Sequence, residues 1–206
     1  MLLALLWLLA APAGARAERV IVAFGDSLTA GLGVTADAAY PALLEARLRR
    51  EGFDYRIVNA GVSGDTSAGG LRRVEWVLRA RPEIVIVALG ANDGLRGLPV
   101  AALRDNLTSI VARLRAGGAR VLLAGMRLPP NYGEAYTKEF AAAFPAVARM
   151  TSAPLLPFLL QGVAGDASLN QPDGIHPNAA GHGVIAELVW RALRPLLTRE
   201  GVGGRI

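Results

Sequence analysis

Apolar residues fall along this chain in two alternating rhythms. Short, nearly continuous runs rich in β-branched residues, at 20–24, 56–58, 84–89, 120–123 and 155–158, predict strands. Between them the apolar positions recur at helical spacing. Tyr40, Leu44 and Leu48 return every four residues, with Pro41 suited to a first helical turn. Val100, Leu103, Leu107, Ile110, Val111 and Leu114 form one stripe, which Gly117 and Gly118 end. A last helix is predicted from Ala179, capped by Asn178 and carrying Ile185, Leu188, Val189 and Leu193 on one face. Strands without polar alternation are buried on both faces. The alternation of strand and helix therefore predicts an α/β domain whose parallel sheet is covered on both sides.

In such a sheet, ligands gather beyond the carboxyl ends of the strands. Four polar, glycine-bearing segments fall there: Gly25-Asp26-Ser27, the stretch from Asn59 to Thr66, the stretch from Gly90 to Gly94, and Asp173-Gly174-Ile175-His176-Pro177 just before the last helix. A serine hydroxyl needs a base to take its proton, and an imidazole does so best when a carboxylate fixes its tautomer. Of the two histidines, His176 follows Asp173 by three residues on a turn bounded by Pro172 and Pro177, where ring and carboxylate can meet. His182 stands inside the last helix with no acid near it in sequence and reads as a surface or helix-packing residue. For Ser27 the plainer alternative is that it or Asp26 caps the following helix. An attack by Ser27 on a carbonyl would create an oxyanion. The Ser27 N–H, the Gly61 N–H and the Asn92 amide are predicted at adjacent strand ends to receive it, although Gly61 and Asn92 also suit ordinary turns.

The 206 residues suffice for one domain. The opening segment MLLALLWLLAAPAGARA is an apolar run closed by Ala15-Arg16-Ala17, the small-x-small pattern of a signal peptide, so residues 1–17 are expected to be removed and 18–206 to form the enzyme domain. The run is shorter than the roughly 20 residues that cross a bilayer. A periplasmic or secreted protein without stable membrane insertion follows. The net charge of +5 comes from scattered arginines (Arg47, Arg49, Arg50, Arg72, Arg73, Arg113, Arg115) spaced as on solvated helix faces, with no interleaved aromatics, which argues against nucleic acid as a partner. The absence of cysteine excludes thiol chemistry, disulfides and Cys-based metal sites.

The segments FGDSLTAGLG, NAGVSGDTSAGGLRR, LGANDGLRG and DGIHPNAAGH occur in the order of the four sequence blocks of the GDSL, or SGNH, hydrolases, and the chain resembles that family from about Val20 to Leu197. RLPPNYGEAYTKEF resembles the loop and helix after the fourth strand in the bacterial branch of multifunctional acyl-CoA thioesterases, proteases, lysophospholipases and arylesterases. The resemblance implies a flavodoxin-like three-layer α/β/α sandwich with a five-stranded parallel sheet in the order 2-1-3-4-5. It also implies Ser27 as nucleophile, His176 as general base and Asp173 as its orienting acid, with Ser27, Gly61 and Asn92 forming the oxyanion hole. Neither cofactor nor metal is implied, and Asp26 and Asp65 are expected to hold loop N–H groups. Ala91 stands where this branch often has glycine.

Two rivals compete with that reading. A metal-dependent phosphoesterase would use Asp26, Asp65, Asn92, Asp93, His176 and His182, but such sites draw on more histidines than this chain offers. A non-catalytic anion-binding domain would use the Gly25–Gly33 loop, but no lysine follows those glycines and the Asp173–His176 pair would have no role. The expectation is an exported, monomeric serine esterase acting on small acyl esters or thioesters through an acyl-enzyme. Leu95, Leu98, Leu128 and Tyr132 would line its acyl groove.

Overall fold

The computed structural model describes residues 19–198, so the predicted signal peptide lies outside the described residues. Five strands, β1 (Arg19–Gly25), β2 (Tyr55–Gly61), β3 (Ile84–Ala88), β4 (Arg120–Ala124) and β5 (Leu155–Leu156), form one parallel sheet in the order β2-β1-β3-β4-β5. The central strands are apolar on both faces, and Ile21, Val22, Ala23 and Phe24 of β1 and Ile84 to Val87 of β3 are fully buried. Helices α2 (Tyr40–Arg50) and α7 (Ala179–Leu193) pack together on one face. On the other, α3 (Ser67–Leu78), α5 (Val100–Ala116) and α6 (Glu134–Thr151) pack in succession. Two single turns, α1 (Ser27–Ala30) and α4 (Ala91–Leu95), follow β1 and β3 directly. The chain leaves β1 toward one edge and returns to β3 on its other side, which makes the carboxyl ends of β1 and β3 the topological switch point.

The three predicted helices form with their apolar residues inward: Tyr40, Leu44 and Leu48 are buried in α2, and the whole stripe from Val100 to Leu114 is buried in α5. Asn178 caps α7 by accepting from the Gly181 N–H at 3.1 Å. Two strands differ from the apolar reading. β2 runs well beyond 56–58 because it is an edge strand that exposes Arg56 and Asn59, and those polar positions mask its length. β5 is only two residues long because Pro154 and Pro157, which have no N–H to give a ladder, bracket it.

Two of the arginines read as solvated are structural. Arg73 lies 4.8 Å above the Phe24 ring and donates to the Ala60 and Gly25 carbonyls at 3.1 and 3.3 Å, fastening the ends of β2 and β1 together. Arg47 stacks at 4.7 Å over Trp190 and pairs with Glu187, joining α2 to α7.

The N–H groups of alternate residues on β2 face away from β1, since the Val62 N–H points inward to the Gly25 carbonyl at 3.0 Å. The chain satisfies three of these outward donors itself. The Tyr55 N–H donates to the Phe53 carbonyl (3.1 Å), the Ile57 N–H to Glu45 Oε2 (2.7 Å) and the Gly61 N–H to Asn59 Oδ1 (2.9 Å).

Candidate active site

β1 ends at Gly25, where a Cβ would stand 2.1 Å from Thr29 Oγ1 and 2.8 Å from the Ala88 carbonyl, so only glycine lets the chain turn straight into α1. Asp26 is the cap: its Oδ1 accepts from the Leu28 N–H at 3.0 Å. That leaves the hydroxyl of Ser27, the first residue of α1, free to point elsewhere. The Ser27 N–H has no acceptor within the helix, as is general for a first helical position.

The hydroxyl meets His176. Ser27 Oγ lies 3.0 Å from His176 Nε2, and His176 Nδ1 lies 2.7 Å from Asp173 Oδ2, a continuous series that joins residues 149 apart in sequence. Asp173 Oδ1 accepts the N–H groups of His176 and Ile175, each at 3.0 Å. Those backbone and ring hydrogen bonds, the His176 N–H first, hold its carboxyl down at about 2. An ionised carboxylate can only accept, so His176 Nδ1 carries a proton, and Nε2 of the neutral ring is left as an acceptor for the Ser27 hydroxyl.

Asn92 is placed by α4. Its Nδ2 donates to the Asp65 carbonyl at 3.0 Å and reaches Asp26 Oδ2 only at 3.4 Å. The adjacent Asp93 is buried and grips the start of α3. Its two oxygens accept the Ser67 N–H at 2.7 Å and the Ser67 hydroxyl at 2.5 Å, and Asn106 Nδ2 donates to that hydroxyl at 3.0 Å. The loops after β2 and β3 are thereby locked to each other.

Of the two scaffold aspartates, Asp26 holds a loop N–H as expected, but Asp65 does not. Its carboxylate instead accepts Arg73 Nε at 2.9 Å and Nη2 at 2.5 Å, because the arginine that fastens the strand ends needs a counter-charge there. Asp26 is 1 % exposed, and burial pushes its carboxyl up to about 6 against the opposing pull of the Leu28 N–H and of His176. His182 is buried and packs on Tyr40, the helix-packing one of the two places the sequence allows it.

Gly61 requires a correction. Its N–H is committed to Asn59 Oδ1 on the outer edge of β2, and its missing side chain serves another purpose: a Cβ would stand 2.2 Å from the Ala30 N. Gly61 is the floor on which α1 rests. Three residues on, Gly64 adopts a left-handed φ of 79°, its carbonyl accepts Arg96 Nη2 at 2.8 Å, and its N–H makes no hydrogen bond among the described residues. It adjoins Asp65, whose carbonyl holds the Asn92 amide. The signal available in sequence was that Gly64 lies in the turn that leads to the Thr66 cap of α3, whereas Gly61 continues a strand.

The apolar residues near the site also differ from the expected set. Leu128 packs against the core, and Tyr132 spends its hydroxyl on the Leu95 carbonyl at 3.2 Å. Leu98 is exposed, and so are Leu32, Val62 and Ile175. Leu32 closes the turn after Ser27, Val62 follows Gly61, and Ile175 precedes His176, so sequence adjacency to the polar residues was the clue. The groups proposed for a metal are dispersed among other partners: Asp93 to Ser67, Asp65 to Arg73 and His182 to Tyr40.

A parallel α/β sandwich with a serine, a histidine and an aspartate in hydrogen-bonded series at its switch point is the frame of a serine-type hydrolase. Residues 23–184 match the GDSL-like lipase/acylhydrolase family, and the chain belongs to that family. It is 47 % identical over 182 residues to the esterase TesA of Pseudomonas aeruginosa, an alignment covering 88 % of this chain and 90 % of TesA. It is 39 % identical over 187 residues to thioesterase 1/protease 1/lysophospholipase L1 of Escherichia coli, covering 90 % and 88 % of the two chains. A crystal structure of TesA superposes with a TM-score of 0.85 at 47 % identity, covering 87 % of this chain and all of that one. The protein is an enzyme that hydrolyses ester bonds.

Proposed function

We propose that the protein is an exported esterase that cleaves small acyl esters and thioesters through a covalent acyl-enzyme on Ser27. The observation that carries this reading is the series from Ser27 Oγ through the His176 ring to Asp173. Ser27 Oγ bonds to the acyl carbon as its proton passes to His176 Nε2, and Asp173 balances the charged ring. The carbonyl oxygen becomes an oxyanion facing the Ser27 N–H, the Gly64 N–H and Asn92. One Asn92 amide proton is anchored on the Asp65 carbonyl, and the other, held only by the longer 3.4 Å bond to Asp26 Oδ2, turns from that carboxylate to the oxyanion. Collapse expels the alcohol or thiol, which takes the proton from His176. Water then attacks the acyl-enzyme with His176 again as base, releasing the acid and restoring the serine.

The acyl chain is proposed to lie on Leu32, Val62 and Ile175, where apolar surface is exposed beside the polar site. Thioester as well as ester cleavage is supported by the names that the Escherichia coli relative carries, and export by the opening apolar segment with its Ala15-Arg16-Ala17 end.

A fluorophosphonate probe is expected to label the protein once, at Ser27, with loss of esterase activity. Labelling that persists in Ser27→Ala would overturn the assignment. Activity in excess chelator is expected to match the untreated enzyme, and a chelator-sensitive activity restored by metal would favour a metal-dependent hydrolase.

A further inference from the structure

The loop from 171 to 177 brings Asp173 and His176 to Ser27, yet most of it is exposed, and neither a strand nor a helix holds it. At its root stands Gln171. The Gln171 N–H donates to the His176 carbonyl at 2.8 Å, and the Gln171 carbonyl accepts the Gly174 N–H at 2.9 Å, which closes the loop on itself. The side chain reaches outward. Its single Nε2 donates to the Pro177 carbonyl at 2.9 Å and, across 139 residues of sequence, to the Leu32 carbonyl at 2.7 Å. The Leu32 N–H in turn donates to the Ser27 carbonyl at 3.1 Å.

We infer that Gln171 is a positioning residue, whose side-chain amide straps the histidine loop to the turn behind the serine and so sets the Ser27–His176 distance. This inference rests on the Ser27–His176 reading above. A primary amide nitrogen has two protons for two acceptors, and both are used here on carbonyls from the two sides of the site. The chemistry is specific to that group, because a carboxylate of the same shape would set oxygen against two carbonyl oxygens and bind neither.

An independent feature marks the same strap. Gly33 has a left-handed φ of 80°, and a Cβ there would stand 2.1 Å from Gln171 Oε1. The glycine after Leu32 thus leaves room for the amide to cross. Gln171 does not touch the proposed nucleophile, and it meets the proposed acyl surface only at the main-chain carbonyl of Leu32, so its effect on the reaction passes chiefly through the geometry of His176. Hydrogen-bond distance between nucleophile and base is a steep control on rate, and a misplacement of about 1 Å costs up to roughly 100-fold.

The test compares Gln171→Met, which keeps the length and removes both donors, with Gln171→Glu, Gly33→Ala and the double variant Gly33→Ala/Gln171→Met. Turnover of a p-nitrophenyl ester is expressed per phosphonate-titratable site, so that unfolded molecules do not count. Gln171→Met is expected to lower kcat roughly 10- to 100-fold with KM within about twofold, and to slow phosphonate labelling in parallel. Gln171→Glu is expected to be at least as slow. Gly33→Ala is expected to act on the same strap, so the double variant loses much less than the product of the two single losses. Turnover per site within about twofold of wild type in Gln171→Met and Gly33→Ala, with Ser27→Ala and His176→Ala inactive, overturns the strap and leaves the serine–histidine reading intact. Undiminished activity in His176→Ala instead defeats that underlying reading. If a variant yields no folded protein, the other decides, since the two disturb the strap from opposite sides.

Discussion

The backbone N–H of Tyr40 donates to Nδ1 of His182 at 3.3 Å, and the two rings lie nearly parallel, 17° apart in tilt with centroids separated by 6.5 Å. This buried contact joins the first turn of α2 to α7 and gives the second histidine a structural occupation. Burial holds its imidazole below the ordinary histidine range, which keeps it neutral as an acceptor for that N–H.

The two histidines are therefore expected to respond oppositely to removal. His182→Ala leaves a buried N–H without a partner and a void beside Tyr40, at a cost of roughly 2–3 kcal/mol in urea unfolding, while turnover per titratable site stays within about threefold. His176→Ala keeps its stability and loses nearly all turnover. A folded, active His176→Ala protein beside an inactive, stable His182→Ala one would reverse the assignment.

Asn92 is expected to act on the transition state. Asn92→Ala lowers kcat by roughly 10²- to 10³-fold with little change in KM, the span seen when one oxyanion donor is lost. Steady-state kinetics beside a melting curve on the same preparation check this. An early melt combined with wild-type turnover of the folded fraction would make Asn92 a turn residue only.

The two glycines of the second loop separate by the kind of damage they cause. Gly61→Ala drives a methyl into the Ala30 backbone, and is expected to lower the melting temperature and displace α1. At Gly64 the space is open except for Arg96 Nη2 at 3.5 Å, and alanine pays mainly for the left-handed backbone, roughly 1–2 kcal/mol. Alanine keeps the backbone N–H, so Gly64→Ala is expected to lower kcat per titratable site only as far as the strained turn relaxes and re-aims that donor, which a loss of turnover beyond the unfolded fraction in the same preparation would show.

Asp26 makes stability depend on pH. Its carboxyl is raised from 3.8 unfolded to about 6 folded, so the folded state holds this proton more tightly than the unfolded chain. The contribution is present in full below the unfolded value and is lost as pH rises through about 6, by roughly 3 kcal/mol in total. Asp26→Asn keeps the cap on the Leu28 N–H and removes the titration. Urea unfolding at pH 4.5 and pH 8 is therefore expected to show a smaller difference in the variant than in the wild type. An identical difference in both would place the titration elsewhere.

Export is tested directly by amino-terminal sequencing of protein from the periplasm or medium, with a start at or beside Glu18 expected. Intact Met1 on soluble cytoplasmic protein would refute it.

How far the sequence carried this description depended on whether the controlling forces were local. β1 and β3 were legible because strands buried on both faces need apolar side chains at every position. α2, α5 and α7 were legible from their stripes and their Pro41, Gly117 and Asn178 ends. Asp173 and His176 sit in one turn, so their pairing could be read directly. α3 was less visible because Gly69 and Gly70 weaken its helical signature, and close packing explains them: a Cβ on Gly69 would meet Asp65 Oδ1 and one on Gly70 would meet Leu89. Long-range partners left no local trace. Nothing beside Arg73 in sequence marks it as the fastener of two strands, nothing around Asp65 announces that arginine, and Gln171 finds Leu32 only through the fold.

The self-satisfied edge of β2 bears on how the molecule behaves in company. An open parallel sheet presents a line of unfilled donors to which a strand of another molecule can add, and long exposed edges seed ordered aggregates. Here Phe53, Glu45 and Asn59 already occupy the Tyr55, Ile57 and Gly61 donors, and at those positions a strand approaching this side meets a carbonyl, a carboxylate and an amide in place of free N–H groups. The same Asn59 that withdraws Gly61 from the oxyanion thus helps shield the rim, so replacing Glu45 and Asn59 by alanine together would expose a template for cross-β growth, and would also remove the Asn59 Nδ2 bond to the Thr29 carbonyl of α1.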